Sequence, residues 1–215
     1  MTLGRSAVLA ILLLIANSLF AQDVPSWNLN IGGGVGFPLS STQNFVNDGG
    51  HFVVGGGPNF GRFLGLSGEF MLHDLPIKHS VMDAQLVPGA SAREYALTIN
   101  AIIRIPTAAG RAGFYLIGGA GWYQRSGELS ATTPVPGIVC PAFWVWWGAC
   151  VKGLFPETAI SSSTINNAFG GNVGGGFTFR LGSGSTKFYT EVRYHHASHD
   201  HVDTDLLPLT FGVRW

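Results

Sequence analysis

The stretch from His195 to Asp205 gathers four of the chain's seven histidines, His195, His196, His199 and His201, with Asp200, Asp203 and Asp205 beside them. Imidazoles and carboxylates crowded together are the donor set that zinc or copper takes. Their spacing matches no closed structural site. An incidental polar loop is therefore expected, and no residue is assigned as a metal ligand. The other histidines, His51, His73 and His79, fall like these four at or beyond the ends of candidate strands.

A second set is ionic. Glu69, Arg104, Arg180, Glu191, Arg193 and Arg214 each stand on the polar face of an alternating segment. Isolated charges would be costly in a narrow interior, but carboxylate–guanidinium pairs are tolerated there. These six are candidates for a structural plug of ion pairs. The arginine excess leaves a narrow, weakly anion-selective pore as the other use. No catalytic role is assigned to them. Cys140 and Cys150 lie in one irregular segment with nine residues between them. No His or acid is close by in that segment, so a local disulfide is expected rather than a metal pair. The segment also carries Phe143, Trp144, Trp146 and Trp147. Such an aromatic patch suits a headgroup belt, a lid over a mouth, or a contact with a partner or hydrophobic solute.

The elements that must position these residues follow from composition and periodicity. The 215 residues carry 12 Lys+Arg against 12 Asp+Glu, and only 11% are charged, where a soluble domain carries about 25%. A neutral, charge-poor chain lacks the basic patch that nucleic-acid binding needs. An apolar fraction of 46% excludes disorder. Residues 1–21 follow the order of a secretory signal peptide: Arg5, an apolar run from Ala7 to Ala16, then Ser18-Leu19-Phe20-Ala21, which sets a small residue ahead of Gln22. The remainder, 22–215, is expected to form one domain.

Within it, stretches of about ten residues alternate strictly. Trp27, Leu29, Ile31, Val35 and Phe37 share one parity against Asn28, Asn30, Gly32, Gly34 and Gly36. Phe169, Val173, Phe177 and Phe179 do the same against Gly170, Asn172, Gly174 and Gly176. The polar faces are too small and too thinly charged to make a good solvated surface. The opposite sense fits, with the apolar face on lipid and the polar face in a narrow lumen. Lipid then demands closure, because an open sheet edge would leave backbone groups unpaired.

Eight strands are expected near 26–37, 50–60, 65–74, 94–105, 113–124, 168–181, 187–197 and 207–215. The gaps between them alternate long and short, as external loops and periplasmic turns do. The longest gap, from Arg125 to Asn167, has room for another hairpin, so ten strands stay open. The expected fold is all-β: a transmembrane antiparallel up-and-down β-barrel.

The architecture from Trp27 to Trp215 resembles the small outer-membrane β-barrel domain family, the group that includes the OmpA and OmpX transmembrane barrels. The segment Leu207-Pro208-Leu209-Thr210-Phe211-Gly212-Val213-Arg214-Trp215 carries it most specifically. The resemblance implies that Phe211, Gly212, Val213 and Trp215 form the signal read by the barrel-assembly machinery. It also implies residence in the cell outer membrane after signal-directed export, contact with outer-membrane lipid, and a monomer without cofactor. No periplasmic peptidoglycan-binding domain is expected after the barrel.

The implied role is structural or surface interaction with a mostly filled lumen. A narrow channel for small or hydrophobic solutes, as in barrels resembling the OmpW group, is the alternative. The second alternative is enzymatic. His196-Ala197-Ser198 is similar to the His-x-Ser element of the lipid A deacylase barrels. That family has Asn after the Ser, where this chain has His199. It also uses a later Glu, whereas no Glu follows Glu191 here. Asp203 or Asp205 would have to substitute, and no enzyme is expected.

Overall fold

A computed structural model describes residues 26–84, 89–107, 111–139, 151–182, 184–199 and 201–215. The expected signal peptide, Cys140, Cys150 and the aromatics Phe143 to Trp147 lie outside the described residues. The eight strands are β1 (Trp27–Pro38), β2 (Gly49–Phe60), β3 (Leu64–Leu75), β4 (Gly89–Pro106), β5 (Ala112–Val139), β6 (Val151–Arg180), β7 (Lys187–Ala197) and β8 (Thr204–Arg214). Each pairs antiparallel with its sequence neighbours, and β1 closes on β8 from Asn30↔Arg214 to Pro38↔Leu206. No helix among the described residues is long and apolar enough to cross a membrane.

The inside-out polarity inferred from alternation is what the barrel displays. Ile99 and Phe169 are 71% and 73% exposed on the outer wall, while Glu69 and Arg193 are 1% exposed inside. Asn28, Asn30, Ser67, Thr98, Asn100 and Thr210 line the interior with them. An outer wall of exposed Leu, Ile, Val and Phe would be unfavourable in water and is matched to hydrocarbon. Small and large residues fill the narrow interior together. Tyr189 lies opposite Gly212 across β7 and β8. A Cβ on Gly212 would meet the Tyr189 ring at 2.6 Å and the Ile31 carbonyl oxygen closer still. Only glycine leaves room for that ring.

The short connections sit at the periplasmic end. Gly61 (φ 72°) and Gly182 (φ 69°) turn the chain there in the left-handed region that glycine enters at little cost. At the other end a single 3-10 turn (Thr42–Asn44) and a six-residue helix α1 (His79–Ala84) fold over the rim. Val46, Leu75 and Leu206 form a small apolar cluster under them.

Three expectations about extent are corrected. Strands β5 and β6 do not stop near Tyr123 and Ala168. They run on as one paired hairpin to Val139↔Val151, with a register shift at Leu129/Ser130. The hairpin lengthens two of the eight strands and adds none. Its upper part, with Ser126, Thr132, Thr133, Ser162, Ser163 and Thr164, lacks the apolar alternation of a lipid-facing wall, which is why it reads as loop. Thr, Ile and Val nonetheless suit a paired ribbon in water. Likewise β4 begins at Gly89 rather than near Glu94, and β8 begins at Thr204 rather than Leu207.

Candidate functional site

Two polar constellations share strand β7, one inside the barrel and one outside. Inside, Glu191 and Arg193 stand on the lumen face of β7, two residues apart, and Glu69 comes from β3 across the barrel. Arg193 Nε donates to Glu191 Oε1 at 2.9 Å, and Nη1 donates to Glu69 Oε2 at 2.5 Å. Its Nη2 bonds Glu191 as well. Tyr115 Oη donates to Glu191 Oε2 at 2.8 Å, and Asn100 Nδ2 to Glu69 Oε2 at 2.9 Å. Ser67 and Asn30 complete the shell of Glu69 at 3.3 Å each. Each charge in this buried set is therefore paired and hydrogen-bonded, the condition under which burial is tolerated.

Below it, the Arg214 guanidinium lies 4.6 Å from the Tyr115 ring centroid and 4.9 Å from that of Tyr189. Four of the six lumen candidates, Glu69, Glu191, Arg193 and Arg214, are thus buried in the lumen. Arg104 is half-buried at the periplasmic mouth, where Nη1 donates to the Leu64 carbonyl at 3.2 Å. Arg180 is corrected. It ends β6 opposite Lys187 and is exposed, because two like charges at a mouth hydrate rather than bury. Glu94 is a lumen residue that the sequence reading misses. It is buried with the same parity as Arg104, and that parity is the signal that finds it.

His51, His73 and His195 stand near the outer ends of β2, β3 and β7, as expected, but their side chains turn inward and are buried in the upper lumen rather than lying in a polar loop. His51 Nε2 bonds Thr210 Oγ1 at 2.8 Å, and His195 Nδ1 bonds Tyr123 Oη at 3.0 Å. The His51 and His73 rings stand 5.2 Å apart. Strand parity holds up to those ends, so residues placed there by hydropathy still face inward. Among the described residues, no group of three or more His, Cys, Asp or Glu is arranged to hold a metal ion.

Outside, β7 carries Tyr194 and His196 on the lipid-facing parity, Ser198 follows directly after its last residue, and β8 sets Asp205 directly opposite His196. Asp205 Oδ1 lies 2.8 Å from His196 Nδ1, and His196 Nε2 lies 3.1 Å from Ser198 Oγ. With Asp205 accepting the Nδ1 proton, Nε2 is left to accept from the serine hydroxyl. Tyr194 Oη donates to the same carboxylate oxygen at 2.6 Å. The Asp205 backbone N–H donates to Thr42 Oγ1 at 2.9 Å, which ties β8 to the rim. Of the two acids that could stand beside His196, the structure brings Asp205 there and not Asp203. A short loop and an antiparallel register set it in place.

A family model described as outer membrane protein beta-barrel domain matches residues 6–214. No curated protein matches the sequence. Among solved structures, neisserial surface protein A is similar at 14% identity and a TM-score of 0.55, over 88% of this chain and 96% of that one. A major outer membrane protein from Thermus thermophilus is similar at 9% identity and a TM-score of 0.52, over 88% of this chain and 98% of that one. At such identities the likeness is one of fold.

Proposed function

The chain belongs to the outer membrane protein β-barrel domain family, and from that premise we propose that it is a closed scaffold acting at the cell surface rather than a channel. The observation that carries this reading is the Glu69–Arg193–Glu191 set, whose side chains meet across the lumen. An eight-stranded barrel has an interior just wide enough to be filled by side chains. Paired charges with Tyr115, Asn100 and Asn30 around them occupy the level where a water column would have to pass. The basic groups Arg104, Lys187 and Arg214 gather at the periplasmic end, but they lead to that plug and not to an opening.

The external end supports the surface role. The β5–β6 ribbon continues from Tyr123 to Val139 beyond the apolar belt, a reach of ~50 Å at strand rise. Ile138 and Leu154 are exposed along it. Export directed by residues 1–21, recognition of the strand ending Phe211-Gly212-Val213-Arg214-Trp215 by the assembly machinery, and a monomeric state belong to the same reading.

Reconstitution of the purified full chain in planar bilayers tests it. The expected result is negligible conductance. Large, stable single-channel steps would overturn the closed scaffold in favour of a solute channel.

A further inference from the structure

We propose that Ser198, His196 and Asp205 form a hydrolytic site on the outer wall, acting on an acyl ester of an outer-leaflet lipid. A chain of contacts carries the proposal, Asp205 Oδ1 to His196 Nδ1 at 2.8 Å and His196 Nε2 to Ser198 Oγ at 3.1 Å. An acid that fixes the imidazole, an imidazole that takes the hydroxyl proton, and an exposed hydroxyl are the parts of an activated serine nucleophile, recognised by geometry rather than chain order. A polar cap on a strand end would need no such directed order. The carboxylate is rigidly held, with Tyr194 on its oxygen and Thr42 on its backbone, while Ser198 is exposed to the outside.

Location gives the substrate class. His196 and Asp205 stand on the lipid-facing parity one step beyond Tyr194 and Leu207, near the edge of the apolar belt, and Ser198 stands one step further. Ser198 lies beside Phe169, to whose carbonyl its N–H donates at 3.4 Å, and Phe169 projects outward. On β6, Gly171 is the register partner of His196, and Ala120 on β5 is the partner of Gly171. The wall beside the imidazole therefore carries no bulky side chain, while Phe169 and Val173 flank it. A lipid whose chains lie along that wall brings its ester carbonyls to the depth of Ser198, at the boundary between chains and headgroups. The carbonyl carbon is the electrophile a serine alkoxide attacks.

The step balances with water as the second reactant. Ser198 Oγ bonds to the carbonyl carbon as its proton passes to His196 Nε2. The ester C–O bond then breaks, and the leaving alcohol takes that proton. Water adds to the acyl-serine with His196 again as base, and collapse releases a free fatty acid and regenerates Ser198. Ser198 and His196 are the catalytic residues. Asp205 is a positioning residue, acting through the imidazole.

The site rests on the barrel's orientation and not on the plug, so a conducting lumen would leave it standing. The test uses the purified full chain, reconstituted either into phosphatidylcholine vesicles or into vesicles that also contain lipopolysaccharide. Free fatty acid is measured by mass spectrometry. Wild type is expected to release fatty acid in at least one arm, and the arm identifies the lipid. Ser198→Ala and His196→Gln should abolish release while keeping the heat-dependent gel migration of a folded barrel. Asp205→Asn should lower it by at least about 100-fold, and Asp205→Glu should recover a measurable part, as a merely structural acid would not. A fluorophosphonate probe should label wild type at Ser198. No release in either arm, or release that survives Ser198→Ala, overturns the proposal.

Discussion

Glu191 and Asp205 are carboxylates on neighbouring strands, each bonded to a basic side chain, yet they belong to different worlds. Glu191 points inward and meets Arg193, Tyr115 and, through Arg193, Glu69, all of them buried. Asp205 meets His196, whose side chain is 42% exposed and whose far nitrogen faces a hydroxyl. The inner carboxylate ends in a closed set in which one guanidinium is shared by two carboxylates. The outer one begins a chain that ends on an exposed oxygen. A strand's parity alone decides which of the two a given residue joins. Burial turns a charge pair into a strut, whereas exposure at one end leaves it able to move a proton.

Three substitutions press on that contrast. The largest effect is expected from Arg193→Met, which leaves Glu69 and Glu191 as unpaired carboxylates in the lumen. Breaking a buried set in this way costs about 3–5 kcal/mol, read as a lowered denaturant midpoint for the shift from fast to slow gel migration. A midpoint equal to wild type would mean that the lumen is hydrated and the strut analogy fails. Replacing Glu69 and Glu191 by Gln in the same chain should recover most of the loss. Glu191→Ala comes next. Arg193 keeps Glu69, but its Nε and Nη2 bonds and the Tyr115 acceptor vanish, and about 1.5–3 kcal/mol should be lost. The smallest change is expected from Asp205→Asn. Asp205 is buried but His196 is partly exposed, and Asn keeps an acceptor oxygen for the Tyr194 hydroxyl and His196 Nδ1, so a loss of only about 1 kcal/mol is expected in the same unfolding measurement. A loss as large as that of Glu191→Ala would make Asp205 a strut too and erase the distinction.

Why some of this is legible in the sequence and some is not follows from the period of a strand. Alternation is strict, so the inward direction of Glu69, Glu191, Arg193 and Arg214 can be read directly. Depth cannot. Whether Glu69 on β3 reaches Arg193 on β7 depends on how eight registers accumulate around the barrel, and no one-dimensional pattern records that sum. The pairing of His196 with Asp205 is likewise set by the connection from β7 to β8, whose geometry fixes a register that spacing alone leaves free. The β5–β6 ribbon escapes the sequence reading for a different reason. Above the membrane the outer face has no lipid to match, so its polarity ceases to alternate although its backbone pairing continues. His51, His73 and His195 are a different case, since their strands end where hydropathy puts them and parity turns the side chains inward.

The seam between β1 and β8 has a kinetic consequence. Seven of the eight ladders join neighbours in sequence, but this one joins Asn30 to Arg214 and Pro38 to Leu206, almost the full domain apart. Local hairpins can form and re-form without it. A sheet that has all of them still carries two raw edges, and in hydrocarbon each unpaired backbone group there is heavily penalised. Closure is therefore a latch, engaged once over nearly the longest loop the domain offers. Half-open forms have no comfortable environment, in lipid or in water. Persistence of such a barrel is governed by how seldom the latch lifts, which makes a lifetime, measured as an unfolding rate, the natural measure of its durability.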